Sequence, residues 1–288
     1  MARLIHDLAA DGFPVAVVCR VLQVPRSSYY DAIVVRPPTE REITDAHLTN
    51  EIIDIYAASR GAYGVRRVHA DLVLGRGHRC GHGRVERLMR EAGFQGVHRR
   101  RWRGGRAPAV FADHVQRRFV ADAPDRLWVT GITQHRAAEG WVYCAAVIDV
   151  YSRRCVGWSI AGHLRTELVV DALEMARWQR KPAGTVVHSD RGPLYTSWLF
   201  GQRLRAAGLL GSMGKVACAY DNSLMESFFG SMQIELLDRR SWATRAELTQ
   251  AIFEWIEAWY NPRRRHSALG YVSPVDYENR PETAATAA

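Results

Sequence analysis

Cysteine is scarce in this sequence: Cys19, Cys80, Cys144, Cys155 and Cys218 are an odd set of five with no Cys-x-x-Cys pair. That pattern excludes a disulfide framework and a four-ligand zinc site, and leaves buried free thiols as the expectation. Lysine is scarcer still, since only Lys181 and Lys215 are lysines among 39 basic residues. No apolar run approaches the roughly 18 residues that a membrane span requires. The opening Met-Ala-Arg-Leu-Ile-His-Asp has no charged stretch followed by an apolar block, so no secretory signal is read and a cytoplasmic location is expected. What is present is a chain of 288 residues, 47% hydrophobic and 24% charged, with a net charge of +9. Such a composition is globular, and the length suits roughly two domains with a real core.

The charge is uneven. Residues 1 to 120 hold 20 Arg against 12 Asp or Glu, whereas residues 121 to 288 hold 19 basic against 18 acidic side chains. An excess confined to one half points that half at a polyanion, most often nucleic acid, and leaves the other for chemistry or structure. The densest part is Arg99, Arg100, Arg101, Arg103 and Arg106, followed by Arg117 and Arg118, with Trp102, Gly104, Gly105 and Pro108 interleaved. This reads as a basic linker at 97–122 that lies along phosphates without reading sequence.

Residues 3 to 33 have helical spacing broken at Gln23-Val24-Pro25, which predicts a helix-turn-helix over 1–35, its second helix opening at Arg26. Arg36-Pro37-Pro38 marks a boundary. Three further helical patterns, Ile43 to Ala57, Val65 to Leu74 and Arg84 to Ala92, predict a second helical DNA-binding domain over 40–96. His78-Arg79-Cys80-Gly81-His82 lacks the second ligand cluster of a zinc finger and reads as a loop. After Asp125 the period changes. Leu127 to His135, Trp141 to Val150 and Cys155 to Gly162 read as three successive antiparallel strands; a helix from Glu167 to Arg180, a strand Thr185 to His188 and a further helix and strand to about Ser212 complete a mixed α/β layer. This catalytic part is expected over 123–238, with a helical extension and tail over 239–288.

Two acidic residues stand out. Asp190 follows an apolar strand directly, and Glu226 lies near the start of the helix after Tyr220-Asp221-Asn222-Ser223. A strand-end aspartate and a helix-borne glutamate can converge above a sheet on a divalent cation. Two such ions about 4 Å apart activate the attacking oxygen and stabilise the leaving oxygen of a phosphodiester. Each residue also has a structural reading: Ser223-Leu224-Met225-Glu226 is a capping box, and Asp190-Arg191-Gly192 is a turn.

The wider pattern is specific: Trp128-Val129-Thr130 with Ile132-Thr133; Val147-Ile148-Asp149-Val150-Tyr151-Ser152-Arg153-Arg154 with Gly157-Trp158; His188-Ser189-Asp190-Arg191-Gly192 with Tyr195-Thr196; Asp221-Asn222 with Glu226-Ser227-Phe228-Phe229; and Tyr260-Asn261 through Arg265-His266-Ser267, Leu269-Gly270-Tyr271 and Ser273-Pro274. In this order and spacing the chain resembles, over nearly its whole length, the second-frame transposases of the insertion sequence three family, relatives of retroviral integrases. The resemblance implies a ribonuclease-H-like integrase core, α/β with a mixed five-stranded sheet and flanking helices, preceded by all-helical helix-turn-helix modules. It further implies an Asp-Asp-Glu triad holding Mg²⁺ or Mn²⁺, recognition of terminal inverted repeats in double-stranded DNA by the N-terminal helices, a homo-oligomer, and joint action with the first-frame product of the same element, in the bacterial cytoplasm at the nucleoid.

On that resemblance the second and third acidic positions fall on Asp190 and Glu226, and the first falls on Gly131, which offers no ligand. Loss of the carboxylate that bridges both ions weakens metal binding and slows the reaction by orders of magnitude. If Leu127 to His135 and Trp141 to Val150 form a hairpin about Glu139, residue 131 lies opposite 146 or 147, and Asp149 is roughly 7 to 10 Å further along. Asp149 is then a structural turn partner, and Thr130 points to the opposite face. Neither replaces the missing ligand.

In the helix after Ser223, Glu226, Gly230 and Gln233 share the face expected toward metal and DNA, Leu224, Phe228, Met232 and Leu236 form an apolar stripe, and Glu235 is expected in solvent. Arg263, Arg264 and Arg265 are read either as contacts to target-DNA phosphates or as a packing cap over the sheet, with equal weight. His188 is either a group near the metals or a packed strand-end histidine. Two functions compete: an impaired transposase, and a DNA-binding protein without catalysis that regulates transposition. A nuclease for RNA–DNA hybrids leaves the N-terminal helices and the C-terminal run without a role.

Overall fold

The computed structural model describes residues 1–33, 38–97, 111–115, 119–213 and 223–280. The basic residues Arg99, Arg100, Arg101, Arg103, Arg106, Arg117 and Arg118, and the pair Asp221-Asn222, lie outside the described residues. The chain divides into two compact units, Met1–Glu51 and Ile52–Ala288.

The first unit contains three short helices, α1 (Ala2–Ala10), α2 (Val15–Val21) and α3 (Arg26–Ile33). The single helix expected before Gln23 is divided because Gly12 takes φ +93° and Pro14 caps α2, which ends one helix and starts another. Ile5, Val18, Cys19 and Tyr29 form the small core of the three. Gln23, at φ +53°, makes the turn between α2 and α3, the two helices that flank the expected break.

The chain enters the second unit within α4 (Glu40–Ala58), whose start is fixed by a reciprocal cap: Glu42 accepts from the Thr39 N–H at 2.7 Å, and Thr39 Oγ1 accepts from the Glu42 N–H at 3.3 Å. Next come α5 (Val65–Ala70), extended by a wide π turn at Asp71–Gly75, and α6 (His82–Glu91).

A five-stranded sheet follows, built from β1 (Leu127–Ala137), β2 (Gly140–Asp149), β3 (Cys155–Ala161), β4 (Val186–Ser189) and β5 (Leu210–Met213), in the order β3-β2-β1-β4-β5. The first three strands pair antiparallel, whereas β4 joins β1, and β5 joins β4, in parallel. Parallel joins need a crossover, supplied by α7 (Thr166–Arg180) and α8 (Trp198–Ala206). Trp128, Val147, Val156 and Val187 of the sheet meet Leu168, Leu173, Ala176, Phe200 and Leu204 of these helices in the main core. The close approach of α7 to β3 depends on Gly157, where a Cβ would collide with the Ala172 carbonyl.

The opposite face carries α9 (Ser223–Glu235) and α10 (Arg245–Glu254), the latter running into a π turn at Trp255–Tyr260. Phe228 of α9 stacks edge-on against Trp255 and Tyr260, and the expected stripe of Leu224, Phe228, Met232 and Leu236 is buried. The chain beyond 260 is tied into the sheet. Asn261 pairs with Cys155 like a fragment of strand, accepting its N–H at 2.9 Å and donating to its carbonyl at 3.0 Å. Glu278, the last residue of α11 (Pro274–Glu278), accepts from Ser152 Oγ and from Arg154 and Arg180. Among the described residues no helix is long and apolar enough to cross a membrane.

Candidate active site and nucleic-acid surface

The sheet register builds the site. On β1, Gly131 pairs with Ala146 of β2, one of the two positions expected from the hairpin. Val129 pairs in parallel with His188. That is the last pair of the two strands: Gly131 lies two residues further along β1, and Asp190 is the first residue past the end of β4. Side chains alternate along β1. Trp128 belongs to the core under α7 and α8, and Thr130 Oγ1 on that face donates to the Ala146 carbonyl at 2.9 Å and lies 3.2 Å from the Tyr195 hydroxyl. Gly131 faces α9 instead: a Cβ on it would stand 3.4 Å from Cβ, Cγ and Cε of Met225.

Asp190 is half-buried, and its Oδ1 accepts the Gly192 N–H at 2.8 Å, the mark of a turn that holds the carboxylate at the end of β4. Glu226 follows Met225 on the first turn of α9 and is exposed. Asp190 thus follows the end of β4, and Glu226 follows the residue of α9 that faces Gly131. Among the described residues no group of three His, Cys, Asp or Glu side chains is placed to share a metal ion. Two carboxylates and a glycine supply fewer oxygen donors than a bridged pair of hard cations takes.

Asp149 has another task. It sits across from Trp128, three residues from Gly131, and is fully buried. Its carboxylate accepts N–H groups from Asp125 at 2.6 Å, Tyr151 at 2.8 Å and Ser152 at 3.1 Å. Burial pushes its pKa up to about 6, against the pull of these hydrogen bonds. His188 is buried as well, with Nδ1 3.0 Å from Ser212 Oγ and its ring edge-on to Phe119.

The candidate DNA contacts divide. Arg26, the first residue of α3, and Arg263 are exposed. Arg264 is not available to a phosphate: it is 4% exposed, with its guanidinium on both oxygens of Glu235, Nη2 at 2.7 Å from Oε1, and on Ser231 Oγ at 2.9 Å. The expectation for Glu235 is corrected with it, because this residue is buried as the partner of Arg264 rather than solvated. A carboxylate there tolerates burial only because a guanidinium meets it in bidentate geometry. Arg265 is engaged too, donating to Asp71 Oδ2 at 3.0 Å and to the Tyr271 carbonyl at 2.9 Å.

The sequence reading missed a cleft of about 690 Å³ bounded by α5, α6, the segment 93–97, Ser267 and Tyr271. Arg66, Arg67, His82 and Arg90 line it, with Glu86 the acidic exception. Its walls come from segments some 200 residues apart, which no local pattern reveals.

Comparison with known proteins gives a consistent picture. Residues 121–218 match the model of an integrase core domain, residues 208–274 match a second integrase core model, and residues 42–102 match an HTH-like domain. The chain is 38% identical over 279 residues to the transposase for insertion sequence element IS629 of Shigella sonnei, covering 94% of each chain. It is 33% identical over 278 residues to transposase InsF for insertion sequence IS3A of Escherichia coli (strain K12), covering 93% of this chain and 95% of that one. Among solved structures, the HTLV-2 integrase catalytic core domain in complex with magnesium aligns with a TM-score of 0.42 at 14% identity, over 55% of this chain and 98% of that one.

Proposed function

We propose, from the premise that this chain belongs to the insertion sequence three family of transposases, that it binds the terminal inverted repeats of its element and carries the machinery for metal-dependent DNA cleavage and strand transfer, impaired because Gly131 stands where the first carboxylate of the triad belongs. The observation that carries this reading is the register: Val129 pairs with His188, two residues before Gly131 on β1 and two before Asp190, and Gly131 faces Met225 on the first turn of α9.

Asp190 and Glu226 are the residues that would hold Mg²⁺ or Mn²⁺, weakly. A bound ion supplies charge neutralisation at the scissile phosphate and activation of the attacking oxygen. The chain's own part is positioning. The Asp190 turn and the first turn of α9 fix two oxygen donors, and the third direction, from β1, presents only a Cα. Each 1.4 kcal/mol of transition-state stabilisation lost in this way costs about tenfold in rate.

DNA contact is assigned to the exposed Arg26 and Arg263, to the basic cleft, and to Arg99, Arg100, Arg101, Arg103 and Arg106, which suit sequence-independent phosphate binding. The domain division proposed is 1–35, 40–96, 97–122, 123–238 and 239–288; a homo-oligomer and the first-frame product are the proposed protein partners. The empty ligand position at Gly131, together with the basic N-terminal half, also favours a second reading, a DNA-binding regulator without catalysis. Calorimetric Mn²⁺ titration of the chain and of Gly131→Asp tests the primary reading: the variant should bind at least tenfold more tightly, and equal affinity overturns the missing-ligand account.

A further inference from the structure

Glu226 sits on the first turn of α9, and the last residue of that helix, Glu235, is buried in an ion cluster that the catalytic reading does not use. Arg264 grips both Glu235 oxygens and also Ser231, one turn earlier on the same helix. Trp259 Nε1 donates to Glu235 at 3.4 Å, and Arg67 of α5 approaches it at 3.9 Å. The same arginine segment is clasped from the other side: Arg67 Nε donates to the Arg265 carbonyl at 3.1 Å, the Arg265 N–H donates to the Tyr63 hydroxyl at 2.8 Å, and Tyr63 donates to the Arg263 carbonyl at 3.3 Å. Tyr63 and Arg67 flank the start of α5, within the HTH-like stretch, whereas Ser231 and Glu235 belong to the helix that carries Glu226.

We propose that Arg67 and Arg264 are positioning residues which latch the α5 region to the end of α9, so that the placement of Glu226 depends on the docking of the helical segment that bears Arg67. A buried carboxylate gripped in bidentate fashion by Arg264 allows few alternatives, because losing that pair strands its charge; Arg67 adds a longer attraction to Glu235 and a hydrogen bond to the Arg265 carbonyl beside Arg264. A helix anchored at its last turn keeps its axis fixed at its first. The latch therefore joins the HTH-like segment to a catalytic side chain through Arg264, which is buried, and Arg67, which also lines the basic cleft. The catalytic half of this inference rests on the role proposed for Glu226; the mechanical half does not.

The test uses the full chain. Amide hydrogen exchange of 223–235 is compared in the chain as given, in Arg67→Met and in Arg67→Lys, well below the unfolding temperature. The latch predicts roughly tenfold faster exchange across α9 in Arg67→Met, with partial rescue in Arg67→Lys, while β1 and β2 are unchanged. Faster exchange confined to α5, with α9 unmoved, overturns the latch. In a Gly131→Asp background, Arg67→Met should also raise the Mn²⁺ concentration for half-maximal end cleavage several-fold; an unchanged metal requirement with faster α9 exchange overturns the positioning of Glu226 alone. If Gly131→Asp is itself inactive, the proposed function fails while the exchange data still decide the latch.

Discussion

Gly131 and Met225 are in register to touch, for a Cβ added to the glycine would meet three side-chain atoms of the methionine at 3.4 Å. That is ordinary van der Waals distance, and the thioether is flexible. A Cβ at 131 therefore fits in contact with Met225, and a longer side chain requires the outer part of the methionine to turn aside. Gly131→Asp should fold, with an unfolding midpoint within a few degrees of the parent by calorimetry. A collapse in stability would show that the position cannot accept the residue whose absence is invoked.

The β2–β3 turn depends on Asp149. Its carboxylate serves three N–H donors while fully buried. Asp149→Ala should cost about 2–4 kcal/mol, because three backbone donors lose their acceptor at once. Urea unfolding measures this, and a loss below about 1 kcal/mol would mean that water replaces the carboxylate.

Acid stability should trace to Glu278. Burial alone would raise its pKa, but hydrogen bonds from Arg180, Ser152 and Arg154 prevail and hold it below the ordinary value of 4.5. A carboxylate depressed in the folded state contributes stability above its unfolded pKa and loses it as pH falls through the folded value. Melting temperature measured between pH 6 and 3 should fall less steeply in Glu278→Gln than in the parent, from a lower starting point. Parallel curves would contradict the assignment.

The contrast between Arg263 and Arg264 predicts opposite phenotypes. Arg263→Ala should leave stability nearly unchanged and reduce the salt dependence of DNA binding by about one counterion. Arg264→Ala should destabilise by about 3–5 kcal/mol, since it strands the buried Glu235. Salt titration of DNA affinity and thermal melting of the two variants check this directly.

Much of the fold was legible because it follows local periodicity. The strands from Leu127, Trp141 and Cys155 and the helix ending at Arg180 lie within a few residues of where alternation and 3.6-residue spacing put them. The places of Asp190 after a strand and of Glu226 on the first turn of a helix were legible as well. Hidden from the sequence were contacts whose partners lie far apart in the chain. An exposed-looking Arg-Arg-Arg run gives no hint that its middle member is buried against Glu235, 29 residues earlier. On the helical wheel Glu235 falls between Leu224 and Phe228 on the apolar stripe, so its burial was legible from spacing; its charge alone argued for solvent, and the pairing with Arg264 removes that objection. The break at Gly12 and Pro14, by contrast, is a local signal that divides the first helical stretch in two.

The central claim, that one missing carboxylate separates this chain from a working transposase, is tested most directly by metal-dependent cleavage of DNA carrying the element's own ends. The chain as given and Gly131→Asp are compared at equal concentration in Mg²⁺ and in Mn²⁺. The account predicts product only from Gly131→Asp, with a rate ratio on the order of 10² or more. Comparable cleavage by the two proteins would contradict it.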